Sequence, residues 1–351
     1  MSSSPIRAGL IGYGYAGKTF HALLIAATPG LELACVASSD APKVHADWPQ
    51  VEVVADAQTL IARDDIDLVV IASPNDTHAP LARAALRAGK HAVVDKPFAL
   101  DLDEARAVIA AAHENNRLLS VFHNRRWDSD FLGVKQAIAD GLLGRVVHFE
   151  SHIDRFRPEV RARWREGAGP GAGLWFDLGP HLIDQALQLF GLPARVQANF
   201  ARQRTGALSD DWVHVVLDYA GGLRAILHAS MLVAGGSPRF IVHGERGSLI
   251  KHDADRQEAQ LKAGVMPGTD DWGIDPDAML LHQDADAAPR RILAPRGDQR
   301  QYYVGIERAV RGLGPNPVTP DEALAVMNIL ETAQRSAREG RSLPIAPLTP
   351  S

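Results

Sequence analysis

Two short segments, remote in sequence, hold the side chains whose types and spacing suit proton transfer and charge stabilisation. In Val93-Val94-Asp95-Lys96-Pro97-Phe98 a lysine follows an apolar strand and precedes a proline, which makes the local chain extended or a turn and is compatible with a cis bond. A lysine there can hydrogen-bond a substrate hydroxyl and stabilise its developing alkoxide. A solvated lysine at a strand end has the same signature. In the second segment, residues 175–185, Asp177 and His181 stand four apart and so share one helical face. Imidazole suits abstraction of an alcohol proton near neutral pH, and Asp177 is spaced to fix its tautomer or the local charge. An ordinary helix start, with an acid near its beginning, Pro180 in the first turn and a polar histidine, would look alike.

These segments need a scaffold, and the first hundred residues describe one. Ile6 to His21 reads IRAGLIGYGYAGKTFH, with Gly12, Gly14 and Gly17 in a GxGxxG arrangement behind an apolar strand. In such a loop Gly12 permits the tight turn, Gly14 lets backbone N–H groups (Tyr13 to Ala16 included) approach a pyrophosphate, and Gly17 lets the next helix pack closely. Thirty glycines make a chance match easy, so the flanking pattern matters. Apolar runs at 31–37, 67–72 and 91–94 alternate with helical patterns at 20–28, 57–62 and 80–88. That alternation predicts an α/β Rossmann domain with a doubly wound parallel sheet, holding a dinucleotide. A helix at 101–115 and a strand at 118–122 close this domain, placed at residues 1–124. From Val146 the grammar changes to strand-like segments at 146–156, 195–204, 212–220, 223–234 and 239–244, interrupted by a helix at 174–190. Helical patterns at 130–141, 299–311 and 320–339 complete an α+β domain, residues 125–351, on an open-faced, mostly antiparallel sheet.

Cofactor choice is written at the end of the second strand, where NAD enzymes present an acid to the ribose 2′-hydroxyl. Here Ser38 takes that position, with Ser39 beside it and Lys43 close behind, a set suited to the 2′-phosphate of NADP. A shift of two residues would bring in Asp40 and select NAD instead.

Composition narrows the partners. A net charge of −5 without a basic stripe excludes a nucleic-acid surface. The single cysteine, Cys35, lies within an apolar strand and reads as a buried structural thiol. No apolar stretch approaches a membrane span, and the MSSSPIR start lacks a signal-peptide pattern, so a cytoplasmic location is expected. His148, His152 and Asp154 share one face of a strand, but no cysteine or carboxylate cluster completes a coordination sphere, a solvated or dimer-facing strand explains the same residues, and no metal is expected.

The glycine loop, Asp95-Lys96-Pro97 and Asp177-Leu178-Gly179-Pro180-His181 together resemble the glucose-fructose oxidoreductase/inositol dehydrogenase/MocA family, across essentially the whole chain. Residues 122–131, 149–160, 173–193, 230–236 and 297–303 are similar to a subgroup containing NADP-dependent scyllo-inositol dehydrogenases. The resemblance implies hydride transfer between a secondary alcohol of a polyol or sugar and a nicotinamide. It implies that Lys96 is the lysine of the family's E-K-P motif, His181 the proton-transferring residue and Asp177 its partner. Asp95 departs from the commoner glutamate. Ser73, Pro74, Asn75 and His78 match the family's loop bordering the nicotinamide ribose, although the loop alone reads as simple turn chemistry. Trp164 and Arg165 resemble a segment reaching the nicotinamide, and Asn124, Arg125 and Trp127 are substrate or cofactor candidates. The family also implies homodimers or homotetramers joined through the C-terminal sheet. It includes NAD-recycling glycosidases and non-catalytic regulators, which are the alternatives.

Overall fold

The computed structural model describes residues 4–348. Its first sheet is six-stranded, ordered β3-β2-β1-β4-β5-β6 and parallel throughout: β1 Ile6–Ile11, β2 Leu31–Ala37, β3 Glu52–Val54, β4 Leu68–Ile71, β5 His91–Val94 and β6 Leu119–Val121. Helices cover both faces, so β4 and β5 can be almost wholly apolar. Strand order reverses between β1 and β4, and loops leaving their carboxyl ends open a crevice there. The helix after the glycine loop begins with a π turn, Gly17–His21, and continues over Ala22–Ala26, starting earlier than the pattern at 20–28 predicts. β3 and the helix Ala41–Asp47 escape the sequence pattern because both are short and largely solvent-facing.

The second sheet is nine-stranded, ordered β14-β13-β12-β11-β7-β10-β9-β8-β15. Its strands are β7 Val146–Asp154, β8 Arg195–Ala201, β9 Trp212–Asp218, β10 Arg224–Ser230, β11 Phe240–Gly244, β12 Gly247–Lys251, β13 Met279–His282, β14 Arg290–Ile292 and β15 Leu343–Pro344. Only β7 and β10 run parallel, so the sheet is mixed and mostly antiparallel. Burial alternates along each strand: Val213, Val215, Leu217, Ala225, Leu227 and Phe149 turn toward the helices Leu174–Phe190 and Pro320–Glu339. The opposite face is polar and carries His148, His152, His214 and His228. No helix among the described residues is long and apolar enough to cross a membrane.

One buried ion pair ties the domain junction. Arg126 donates through Nη2 to Asp184 Oδ1 (2.7 Å) and through Nη1 to Glu322 Oε1 (3.0 Å) and the Pro317 carbonyl. Glu322 also closes a capping box with Thr319 at the start of the helix Pro320–Glu339. Arg126 and Asp184 are both buried, so removing the Asp184 carboxylate strips the guanidinium of its buried partner and leaves it only the partly exposed Glu322. Asp184→Ala is expected to lower the free energy of unfolding by about 3 kcal/mol or more; denaturant unfolding measures it, and a loss below about 1 kcal/mol would show that the junction does not depend on this pair.

Candidate active site

The glycine loop has the shape a pyrophosphate needs. Gly12 takes φ +95°, and a Cβ there would lie 2.8 Å from the Ala72 carbonyl oxygen. A Cβ on Gly17 would collide with the carbonyl of Gly12. Gly14 has open space where its Cβ would stand, the cradle that a side chain would fill and a phosphate can enter. Beside the loop a cavity of about 450 Å³ is bordered by Gly12, Tyr13, Gly14, Ser38, Ser39, Asp40, Lys43 and Ser73. Ser38 follows β2 directly, its amide donating to the Val54 carbonyl. Asp40 is occupied as the cap of the helix Ala41–Asp47, accepting from the Lys43 amide (3.1 Å). Lys43 Nζ donates to the Tyr13 carbonyl (2.9 Å), and the Tyr13 hydroxyl donates to Asp47 Oδ2.

A second cavity, about 290 Å³, joins the far end of the loop to the C-terminal domain; Ala16, Lys96, Asn124, Arg125, Asp177 and His181 all line it. Lys96 stands just beyond β5, followed by a cis bond to Pro97. Its Nζ donates to the Asp177 carbonyl (2.7 Å) and to Asp177 Oδ1 (3.1 Å). Burial favours protonation of Asp177, but the Lys96 and Arg165 cations outweigh it and hold the carboxyl far below the usual carboxylate range. His181 is held well below the ordinary imidazole value, by burial first and then by the Lys96 and Arg125 cations. Near neutral pH it is therefore an uncharged imidazole, ready to accept a proton.

Asp177 is not hydrogen-bonded to His181; it pairs with Lys96 and, at 3.5 Å, with Arg165. Helical side chains lean toward the N-terminus, which carries the Asp177 carboxylate away from the residue one turn later and toward two full cations. His181 Nδ1 is buried with no hydrogen-bond partner among the described residues. The helix runs over Leu174–Phe190, as the pattern predicts, and Asp210 from a distant loop caps its start: its Oδ2 accepts from the Trp175 amide (2.7 Å) and its carbonyl from Leu174. Pro180 consequently lies in the second turn, not the first.

Other expected site residues hold the loops in place. His78 is fully buried between two loops, with Nδ1 2.7 Å from the Pro97 carbonyl oxygen and Nε2 3.0 Å from the Ser73 carbonyl oxygen; the neutral ring donates to one of them and turns no free nitrogen to the cleft. Asn75 donates across to the Gly171 carbonyl (3.0 Å), and Pro74 precedes the short helical turn Asn75–Thr77. Asn124 donates to Gln299 Oε1, and Arg125 pairs with Asp128 and Glu258. The Arg165 guanidinium lies 4.3 Å over the Trp164 ring; Arg165 lines the cavity and Trp164 is outside its lining. Asp95 is buried, accepts from the Lys96 amide (2.9 Å) and stands 3.7 Å from His21 Nε2. Burial pushes its pKa up, but His21 and Lys96 bring it down to about 2.

Sequence reasoning passes over several lining residues. Glu258 accepts from Tyr15 and Lys262, on a six-residue helix, Gln257–Lys262, too short for a periodic signal. Arg155, Arg157, Arg161 and Arg163 also line the cavity, and their alternate spacing is the signal that could have found them. On the open sheet face, β10 brings His228 beside His152 and Asp154, with candidate ligand atoms within 4.8 Å of one another. Burial opposes protonation of His152, yet the Asp154 and Glu150 carboxylates prevail and raise its pKa.

A Rossmann crevice opening onto a lysine–imidazole cavity walled by a second α/β domain defines a two-domain oxidoreductase with a dinucleotide cofactor. Residues 6–123 match the oxidoreductase family's NAD-binding Rossmann fold and residues 135–346 its C-terminal alpha/beta domain, so the chain belongs to the Gfo/Idh/MocA family. It is 52% identical to the uncharacterized oxidoreductase YdgJ of Escherichia coli over 98% of this chain and 100% of that one. It is 37% identical to IolW of Bacillus subtilis, a scyllo-inositol 2-dehydrogenase (NADP(+)), over 96% and 95%. A crystal structure from Klebsiella pneumoniae, of a protein described as an oxidoreductase, aligns with TM-score 0.91 at 59% identity, covering 98% of this chain and 96% of that one.

Burial holds His78, His123 and His181 below the ordinary imidazole value. The unfolded chain therefore binds protons that the folded one refuses, so stability rises with pH across this window and is lost as pH falls through about 6.5. Denaturation midpoints measured from about pH 7.5 down to about pH 5.5 should decline steadily; a flat profile would mean that these imidazoles are protonated in the fold.

Proposed function

We propose that the protein is an NAD(P)-dependent dehydrogenase that oxidises a secondary alcohol of a polyol or sugar, with NADP preferred. The observation carrying this reading is the Lys96 ammonium and an uncharged His181 in one cavity at the end of the glycine loop. When bound, the nicotinamide supplies the hydride acceptor. The loop residues Tyr13, Gly14 and Ala16 would hold the pyrophosphate, Ser73 and its neighbours the nicotinamide ribose, and Arg165 the nicotinamide end. Lys96 Nζ donates to the substrate hydroxyl oxygen and steadies its negative charge as the proton leaves. His181 Nε2 receives that proton. Asp177 positions the Lys96 ammonium, and Asn124 and Arg125 contribute to the substrate wall.

Ser38 and Ser39 offer hydroxyls, and Lys43 a cation, at the cavity where a 2′-phosphate would lie, while Asp40 is already engaged by the Lys43 amide. IolW, named for NADP, supports the same preference. The reading uses no metal ion; in that cluster His152 stands 2.7 Å from Glu150 and 3.6 Å from Asp154. The open face of the second sheet is the surface through which two or four copies would associate, and the protein is read as cytoplasmic.

Lys96→Ala and His181→Ala should each lower turnover by about 10²-fold or more, with NADP affinity by fluorescence titration within a few-fold of the parent. Full activity in either variant would remove it from the chemistry. Comparison of kcat/KM with the two cofactors should favour NADP, and Ser38→Asp should shift the ratio toward NAD by about tenfold or more; an NAD preference in the parent would assign the selecting role to Asp40.

A further inference from the structure

The cavity that holds Lys96 and His181 is far more cationic than alcohol oxidation requires. Eight lysine and arginine side chains line it against three carboxylates, Asp95, Asp177 and Glu258. Those three are already committed: Asp95 to His21 and the Lys96 amide, Asp177 to Lys96 and Arg165, Glu258 to Arg125 and Lys262. Five of the cations come from one stretch, Arg155, Arg157, Arg161, Arg163 and Arg165. Arg163 is paired with Glu166 (2.6 Å). Arg155, Arg157 and Arg161 have no carboxylate within 4.0 Å among the described residues.

The stretch is built, not loose. Arg155 and Arg157 are pinned through their amides to the Ser230 and Met231 carbonyls (2.9 and 2.7 Å). The buried Arg204 reaches the Arg157 and Glu159 carbonyls and Glu166 Oε2, while Glu166 also accepts from the Arg161 amide. Glu166 thus folds the segment but is used up by Arg163 and Arg204. Guanidiniums held near one another, half-buried at Arg155 and Arg157 and exposed at Arg161, repel unless an anion enters, and their planar forks match carboxylate and phosphate oxygens. Burial, followed by the neighbouring Arg155, Arg161 and Arg163, lowers the proton affinity of Arg157.

We infer that the substrate carries an anionic group, a carboxylate or a phosphate, which Arg155, Arg157 and Arg161 bind while Lys96 and His181 address its hydroxyl. The inference rests on the dehydrogenase reading for the second half only. The dinucleotide has its own phosphate cradle at Gly14, on the other domain, whereas these arginines share the lining of the chemical cavity.

Binding and turnover separate the possibilities. Calorimetric titration of the NADP-saturated protein compares D-glucose with D-glucuronate, D-glucose with D-glucose 6-phosphate, and inorganic phosphate alone. The anionic member of at least one pair should bind about tenfold or more tightly, inorganic phosphate should compete with it, and Arg157→Gln and Arg155→Gln should each abolish that preference with NADP affinity unchanged. Equal binding within both pairs and no competition by phosphate would overturn the inference. A loss of NADP affinity in the arginine variants, with anion preference retained, would assign the arginines to the cofactor and overturn it as well. The same pairs are followed by absorbance of reduced nicotinamide: tighter anion binding without any reduction of NADP would leave the arginine site standing and refute the dehydrogenase reading.

Discussion

The ion pair between Lys96 and Asp177 is the contact on which the site depends. Lys96 belongs to the carboxyl end of the parallel sheet and Asp177 to the first turn of a helix in the other domain, so the pair is both an electrostatic bond and a domain registration. It is made twice, to the carboxylate and to the backbone carbonyl of the same residue, which fixes where the ammonium points. Everything that places either partner serves this bond. The His78 clamp on Pro97 sets the loop that carries Lys96, and the Asp210 cap sets the turn that carries Asp177.

The pair also sets the protonation state next door. A buried imidazole loses its proton readily, and the Lys96 and Arg125 cations add to that effect, so His181 is an acceptor at neutral pH. Had Asp177 bonded the imidazole, its charge would have favoured the protonated form, which cannot take a proton from an alcohol. In the reaction proposed above, directing the carboxylate to Lys96 would keep two roles apart: a fixed cation to hold oxygen and a neutral base to remove hydrogen. The surplus of arginines in the same cavity adds to the positive potential that any oxygen anion developing there would meet.

Much of this was legible along the chain, and the parts that were not have common causes. Five of the six strands of the parallel sheet follow from apolar runs alternating with helical periods, and Lys96 and His181 stand out because each sits at or within an element that the pattern defines. β3 and the helix carrying Glu258 are too short to show a period. His78 reads as a polar loop residue, yet its side chain is swallowed by two carbonyls from different loops. His152 and Asp154 were visible on β7, but His228 reaches them only because β10 pairs with β7 in parallel register.

The sequence by itself determined what is local: the glycine positions that admit a phosphate, the residue at the end of β2, the lysine before a proline, and the four-residue step from Asp177 to His181. These follow from backbone sterics and from helix and strand periods, which act over a few residues. The tertiary structure decided the partners. Which cation Asp177 meets, which carboxylates remain for the arginines, and which nitrogen of His181 is left bare depend on side chains up to 81 residues apart in the case of Lys96 and Asp177. Electrostatic and hydrogen-bond energies are set by distance and burial in space, and neither can be read from spacing along a chain.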